Sequence, residues 1–391
     1  MFKPARVLQV AAVFTLLAGC ASTQPAARSA NTPVQTSSNP GGQPAVLKRL
    51  ADASPIQAGS SINSAEGFQD SDGRLKKDIE AYAREVSKSR QVPLDEVESL
   101  LKTAQYNATV AKLMAPAKTR IRRSWITYRK RFVEPVRIKS GLDFWSENRA
   151  VLDKTAAQFG VPASIIVAII GVETVYGRNT GSFLVLDALA TLGFRNPDPA
   201  RPERSQLFRD QLADLIELDH FQKLDARKVT GSFAGAMGLP QFMPGSLLRF
   251  AVDGDNDKRI DLSGSAADAI ASVANFLRVH GWQPGLPVFA PVTLPANPAK
   301  LVAGGLEPSY DWAQLRAKGA TSRPGASPAK WQQHRVGVID LLDEPRNLEE
   351  YRTGTPNFFA ITHYNRSYFY AASVADLAQA LADRMGVGGP N

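Results

Sequence analysis

Val161 to Arg178 reads VPASIIVAIIGVETVYGR, an apolar run interrupted by a single carboxylate, Glu173. Pro162 suits the first turn of a helix, where its missing N–H would be unsatisfied anyway, and Gly177 suits the stop. The spacing predicts a helix over 162–176. Ile165, Ile166, Ile169, Ile170 and Val172 cover more than one stripe, so this helix belongs inside a core. Glu173 would then lie near or within that core. Desolvation disfavours the charged form of a carboxyl group, so a buried Glu can stay protonated near neutrality and donate a proton, the state a general acid needs. The alternative is a helix-end Glu turned to solvent or paired with Arg178, and this stretch alone leaves both readings open.

Working back to the start of the 391-residue chain, MFKPARVLQVAAVFTLLAGC carries Lys3 and Arg6 and then an apolar run from Val7 to Ala18. That run is short for a bilayer span and reads as a signal peptide over 1–19. Leu17, Ala18 and Gly19 lead into Cys20, which resembles the bacterial lipoprotein box. The resemblance implies cleavage before Cys20 and lipid attached to it. Ala21 follows, so by the same analogy the expected address is the outer membrane of a Gram-negative cell, facing the periplasm. Cys20 is the only cysteine, which rules out a disulfide within the chain and otherwise leaves an exposed thiol without a purpose. Residues 20–68 are rich in Ser, Ala, Pro, Gln, Thr and Gly and read as a flexible tether. The formal net charge of +9 favours anionic partners such as cell-wall polymers or membrane surfaces, and export argues against nucleic acid.

From Asp70 the pattern changes. Leu75, Ile79 and Tyr82, then Leu94, Val97, Leu100 and Leu101 after Pro93, fall at helical spacing. The basic run Lys118 to Lys139 is expected to be an amphipathic helix with Ile121, Trp125, Tyr128 and Phe132 inward and its bases solvated. The functional alternative is steering of an anionic polymer, with the aromatics stacked on sugar rings. A further helix is expected over Leu142 to Phe159. Beyond Arg178 come a short helix from about Val185, a Pro-rich turn over Asn196 to Pro202 and a helix over Glu203 to Asp219. GSFAGAMGLPQFMPGS (231–246) follows, its glycines implying close approach of the backbone to something. Pro244 opens another helix, and one more runs over Ala266 to Val279. Alternating patterns over 284–357 predict a small sheet with one helix near Trp312. FFAITHYNRSYFY reads as a strand or loop running into a final helix. The fold class is therefore mainly α (α+β), with a helical core at 69–160 and 161–283, a small mixed part at 284–357 and a returning segment at 358–386.

Asp253, Asp255, Asp257 and Asp261 alternate in AVDGDNDKRIDLSGSAADAI. The spacing resembles the start of an EF-hand calcium loop, with Asp at positions one, three and five, the Arg259 carbonyl at seven and Ile260 at eight. Lys258 stands where that loop needs Gly and Gly264 where it needs Glu. Asp268 could supply the missing carboxylate in a longer loop. The competing reading is a solvated acidic turn. Four scattered histidines argue against a histidine-rich metal site, and the lack of HExxH, GxSxG, CxxC or phosphate-loop patterns narrows the enzymes available.

Taken together, GVETVYGRNTGSFLVLDALATL (171–192), GSFAGAMGLPQFMPGS, the acidic loop with SVANFLRVHGW after it, and ITHYNRSYFY (361–370) resemble the membrane-bound lytic murein transglycosylase B family over about residues 70 to 386. The resemblance implies a goose-type lysozyme-like helical fold and cleavage of the bond from N-acetylmuramic acid to N-acetylglucosamine in peptidoglycan. It implies Glu173 as general acid and then general base, because the muramic acid C6 hydroxyl closes onto C1 and no second carboxylate is needed. By the same similarity Ser232 and Asn365 would hold the N-acetyl group or neighbouring sugar atoms, and Gln241 would line the cleft beside Tyr364. Tyr370 would orient Glu173, and Arg204 would contact substrate carboxylates or peptide. Asp253, Asp255, Asp257, Arg259 and Asp268 would hold a structural Ca²⁺, with no cofactor in catalysis. Peptidoglycan strands, the membrane through Cys20 and cell-wall synthesis proteins are the expected partners. The departures are Glu203 in place of the first Arg of a pair, Phe276 in place of Tyr, and Leu239 and Pro240 in place of Tyr and Gly. A lysozyme-like hydrolase would require a second carboxylate, with Asp187 and Asp219 as candidates. A silent wall-binding lipoprotein and a calcium-dependent adhesion module are the non-enzymatic alternatives.

Overall fold

The structure is a computed structural model that describes residues 67–117, 119–323 and 330–390. The signal segment and Cys20 lie outside the described residues, as does nearly all of the tether. Among the described residues the chain forms fourteen α-helices and three two-stranded antiparallel sheets, so the mainly helical class holds.

The helix α7, Ala163–Thr174, is buried at every position, as its unbroken apolar run requires. Around it pack α5 (Pro135–Glu147), α6 (Arg149–Phe159), α11 (Ala266–Val279), α13 (Pro356–Tyr364) and α14 (Tyr368–Met385), and their apolar faces close one large core. Helices α1 (Lys77–Arg90), α2 (Leu94–Leu101), α3 (Ala108–Met114), α8 (Val185–Phe194) and α9 (Pro202–His220) build a second core, closed by the loop after residue 231. A third, smaller core lies under residues 286–338, beside the short helix α12 (Trp312–Ala317). The hairpin of β5 (Gly337–Asp343) and β6 (Leu348–Gly354) runs in register from Gly337 opposite Gly354 to Asp343 opposite Leu348. The predicted small sheet is thus a hairpin, with a separate short pair joining β3 (Val292–Thr293) to β4 (Thr321–Ser322).

Several local expectations are corrected. Pro162 caps α7 from outside, and the helix ends at Thr174 instead of 176. Val175, Tyr176 and Gly177 then take positive φ values of 51°, 60° and 88° in succession. A left-handed β-branched valine costs roughly 1–3 kcal/mol, so packing must hold this turn. The basic run is not one amphipathic helix: only α4, Trp125–Arg129, is helical before Pro135 opens α5. Trp125, Tyr128 and Phe132 do point inward, whereas Ile121 lies outside the helix. Residues 142–159 form parts of two helices parted at Asn148, whose side-chain amide bonds back to the Phe144 carbonyl. The segment read as strand or loop before the last helix is the helix α13; its Thr and aromatic content looked strand-like, but Thr355 caps it and Pro356 begins it. No single described helix is long and apolar enough to cross a membrane. The pair α6 and α7 qualifies only together, with a bend of 114° between them, and α7 is a core helix of the protein.

Candidate active site

Glu173 sits in the last turn of α7 with 1% of its surface exposed. Burial pushes its carboxyl group well above the ordinary range, and this outweighs two opposing influences, a hydrogen bond from Tyr370 and the positive charge of Arg137. The Tyr370 O–H donates to Glu173 Oε1. Tyr370 is itself buried in the first turn of α14, whose start is fixed by the Ser367 hydroxyl accepting the Tyr370 amide. Burial, followed by the neighbouring Glu173, raises the phenol well above its usual value, so the phenol stays protonated and remains a donor.

Tyr364, at the end of α13, stacks on Tyr370 with ring centres 6.4 Å apart and 12° between planes. Its hydroxyl donates to the Pro240 carbonyl at 2.6 Å. The adjacent Leu239 carbonyl accepts the Thr174 hydroxyl at 3.0 Å, and the Thr174 oxygen in turn accepts the Gly177 amide at 3.0 Å. The loop 238–242 is thereby tied to both sides of Glu173. Both contacts use backbone carbonyls, so Leu and Pro serve here as well as other side chains would. Phe276 meets Tyr364 edge-to-face at 4.8 Å, an apolar contact that needs no hydroxyl.

The remaining predicted binding residues fall into two groups. Asn365, next to Tyr364, is buried and its Oδ1 has no hydrogen-bond partner. An unpaired buried acceptor costs about 1–3 kcal/mol. Gln241, at φ 51°, spends its side-chain amide hydrogens on the Thr180 and Gly238 carbonyls, both at 3.0 Å. Ser232 Oγ accepts the Ala234 and Ala236 amides at 3.3 and 3.1 Å, which fixes the hydroxyl at the mouth of the glycine-rich turn. Arg204 stands apart: it is held by Asp198 at 3.4 Å and by the Met114 sulfur at 3.1 Å, and none of these contacts belongs to the Glu173 group. Its side chain keeps 18% of its surface exposed beside Asp198.

The acidic loop brings Asp253, Asp255 and Asp268 together, with one carboxylate oxygen of each within 4.8 Å of the others. Lys258 holds φ 73°, so the left-handed turn that an EF-hand gives to Gly is present here on Lys. Asp253 accepts the amides of Asn256, Asp257 and Lys258 and thereby winds the loop. Asp268 reaches in from the first turn of α11 and accepts the Gly254 and Asp261 amides at 2.7 Å each. Asp257 lies outside this trio, and its Oδ1 accepts the amide of exposed Arg259 at 2.7 Å. The three-carboxylate donor set fits a hard cation such as Ca²⁺.

Sequence reasoning missed two residues around Glu173. Arg137, read as part of a solvated basic run, is 4% exposed and donates from Nε to the Gly171 carbonyl at 2.9 Å. Tyr176 is wedged against Gly141 and Gly171, both of which lack the Cβ that would strike it. The one signal available was Gly171 inside the predicted helix 162–176, a residue type that marks close approach; Gly141 fell between two predicted helices and gave none.

A family model described as the Transglycosylase SLT domain matches residues 74–379. Membrane-bound lytic murein transglycosylase B of Escherichia coli (strain K12) is 38% identical over 261 residues, 66% of this chain and 68% of that protein. Soluble lytic transglycosylase SltB1 from Pseudomonas aeruginosa superposes with a TM-score of 0.70 at 35% identity, covering 79% of this chain and 100% of that one. Escherichia coli Slt35 in complex with calcium superposes with a TM-score of 0.66 at 33% identity, over 79% of this chain and 93% of that one. The match runs through every segment that surrounds the buried carboxyl group. The chain therefore belongs to the Transglycosylase SLT family and is a lytic murein transglycosylase, cleaving between N-acetylmuramic acid and N-acetylglucosamine to leave a 1,6-anhydromuramic acid end.

Proposed function

We propose that Glu173 alone carries the proton transfers of this reaction. Protonated in its dry site, it donates to the glycosidic oxygen as the bond to C1 breaks; the resulting carboxylate then takes the proton from the C6 hydroxyl as that oxygen closes onto C1. The nucleophile travels on the substrate, and an intramolecular attack gains from high effective concentration. The observation that carries the reading is the isolation of this carboxyl group. Tyr370 is its hydrogen-bond donor, and the two candidate second carboxylates stand on α8 and α9, the helices of the other core. Asp187 accepts the Gln105 amide at 2.8 Å, and Asp219 accepts the Ala226 amide at 2.8 Å. Ser232, Gln241 and Asn365 hold the muramic acid, with the orphaned Asn365 Oδ1 accepting the acetamido N–H. Murein digested by the wild type should yield anhydro ends by mass analysis, and Glu173→Gln should yield none while still binding glycan. Reducing muramic acid ends, or an active Gln variant, would refute the assignment.

Asp253, Asp255 and Asp268 are the residues that would hold a Ca²⁺, a structural ion that cross-links the loop to α11. Calcium at about 100 times its dissociation constant should stabilise the protein by about 2.7 kcal/mol. Asp268→Asn should remove that gain, and an unchanged melting temperature on adding calcium to the wild type would exclude the site. For the membrane association that the relative's name describes, the proposed anchor is lipid on Cys20, in the outer membrane and facing the periplasm, near wall-synthesis proteins. Cys20→Ser should abolish incorporation of labelled fatty acid and release the enzyme to the soluble fraction; labelling that persists in the variant would disprove it.

A further inference from the structure

We propose that Arg137 is a positioning residue for the reaction, a fixed buried cation that stabilises the Glu173 carboxylate once the proton has left for the glycosidic oxygen. The inference rests on Glu173 acting as acid and base. That role needs both protonation states in turn, and the site is poor for the second. Glu173 lies in a dry core, which opposes its ionisation, and in the last turn of α7, where the helix dipole also disfavours a negative charge. Something must make the anion tolerable.

Arg137 does so from the neighbouring helix α5. Its Nε donates to the Gly171 carbonyl at 2.9 Å, two residues before Glu173, and a second nitrogen donates to the Arg131 carbonyl. Its guanidinium lies 5.3 Å from the centre of the Phe132 ring. A guanidinium keeps its proton even when buried, so these contacts hold a charge in place without offering a competing base. The Gly171 carbonyl also accepts the Val175 amide at 3.1 Å. Arg137 is thus a cation on the carbonyl end of α7, the position where a positive charge offsets the dipole.

From α14 comes the Tyr370 hydroxyl and from α13 that of Tyr364, both protonated; beside α7, burial also keeps the Tyr176 phenol protonated. From α5 comes Arg137, with Glu134 placed 3.8 Å from its guanidinium. Helices α6 and α11 contribute apolar residues such as Leu152, Ile270 and Val273 to the same core. Among the described residues Arg137 is the cation whose charge acts on Glu173, and Glu134 is the counter-charge that tempers it.

The test is the pH profile of anhydro-muropeptide release. The general acid must start protonated, so activity falls as pH rises through the Glu173 pKa, and that alkaline limb reports its neighbours. Arg137→Met should move the limb upward by about one pH unit and lower the turnover rate, while Arg137→Lys, which keeps the charge, should restore the wild-type limb. Glu134→Gln should move it the opposite way, downward, and it decides the matter if the Met variant fails to fold. Glu134 caps the Val136 amide through Oε2 and the Arg137 amide through Oε1, at 2.7 Å each; the single Gln oxygen keeps one of these caps, so the limb is read once circular dichroism shows the wild-type helix content. Limbs for the folded Arg137 and Glu134 variants that superimpose on the wild type would overturn the proposal. An active Glu173→Gln control would instead overturn the acid–base reading beneath it.

Discussion

At the scale of one residue, the chemistry of this site conflicts with the stability of the fold. Glu173 is the one acid on a helix that is otherwise entirely uncharged, and burial raises its pKa in the folded state above the unfolded value. A carboxyl group displaced upward contributes stability that is fully present below its unfolded pKa and is lost as pH rises through the folded one. Glu173→Gln removes the carboxylate while keeping shape and an acceptor for the Tyr370 hydroxyl. The variant and the wild type should therefore melt together near pH 4, about the value for an exposed Glu. As pH rises toward neutrality the variant should become the more stable by on the order of 1–3 kcal/mol. Thermal unfolding across that range is the measurement. A wild type that is equally or more stable at neutral pH would mean that the carboxylate is better solvated than its burial implies.

At the scale of the element, α7 is held in place by a wedge. Tyr176, at φ 60°, leads its ring back between α5 and α7, where a Cβ on Gly171 would stand 2.4 Å from its Oη and 2.6 Å from Cζ. A Cβ on Gly141 would stand 2.3 Å from the same Oη, 3.0 Å from Cζ and 2.8 Å from Leu381 Cδ2. Gly141→Ala and Gly171→Ala should each cost about 1–3 kcal/mol through overpacking, although alanine is the better helix former. The Tyr176 hydroxyl is buried without a partner, so Tyr176→Phe alone should be neutral or stabilising. In the Phe background Gly141→Ala should recover in part, because its worst contact is the oxygen, and Gly171→Ala should recover little, because ring carbon remains in its way. A double-mutant cycle by chemical denaturation reads the difference, and equal recovery at both glycines would contradict the wedge. Elements of this kind mark the limit of what the sequence makes legible. The helices over Ala266 to Val279, from Val185 and from Pro244 are written in local spacing and caps. The inward turn of Arg137 and the early end of α7 are set by partners more than thirty residues away, such as Gly171 for Arg137 and Gly141 for Tyr176, and no local pattern encodes them. Glu173, Tyr370 and Tyr364 could be singled out together because their motifs are specific, although nothing in their spacing shows that two tyrosines stack over one acid.

At the scale of the whole molecule, the small sheet unit is joined to the helical core through Asp376. This carboxylate lies on α14, six residues beyond Tyr370, and accepts Arg129 Nε from α4 at 2.5 Å and Arg352 Nη1 from β6 at 2.6 Å. Arg352 also lies between the Trp125 and Phe289 rings, 5.6 and 4.9 Å from their centres, and bonds Glu350, which accepts the Trp125 indole N–H at 2.8 Å. One buried anion thus fixes hairpin, basic segment and α14 to each other. The two cations are not equivalent. The Arg129 side chain is 42% exposed and that of Arg352 20%, so water can take over the first far more readily than the second. Asp376→Ala leaves Arg352 with Glu350 as its one carboxylate partner and removes the anion that both arginines share, and should cost about 1–3 kcal/mol. Arg129→Ala leaves the Asp376–Arg352 pair intact and should cost less than about 1 kcal/mol, as exposed ion pairs do. Because α14 carries Tyr370, the Asp376 variant should also lose turnover beyond what its lower stability explains at a temperature where it is still folded, while Arg129→Ala should retain turnover. Equal losses of stability for the two variants would show that the charges act separately. A stable but inactive Arg129→Ala would place the coupling in the basic segment instead of in α14.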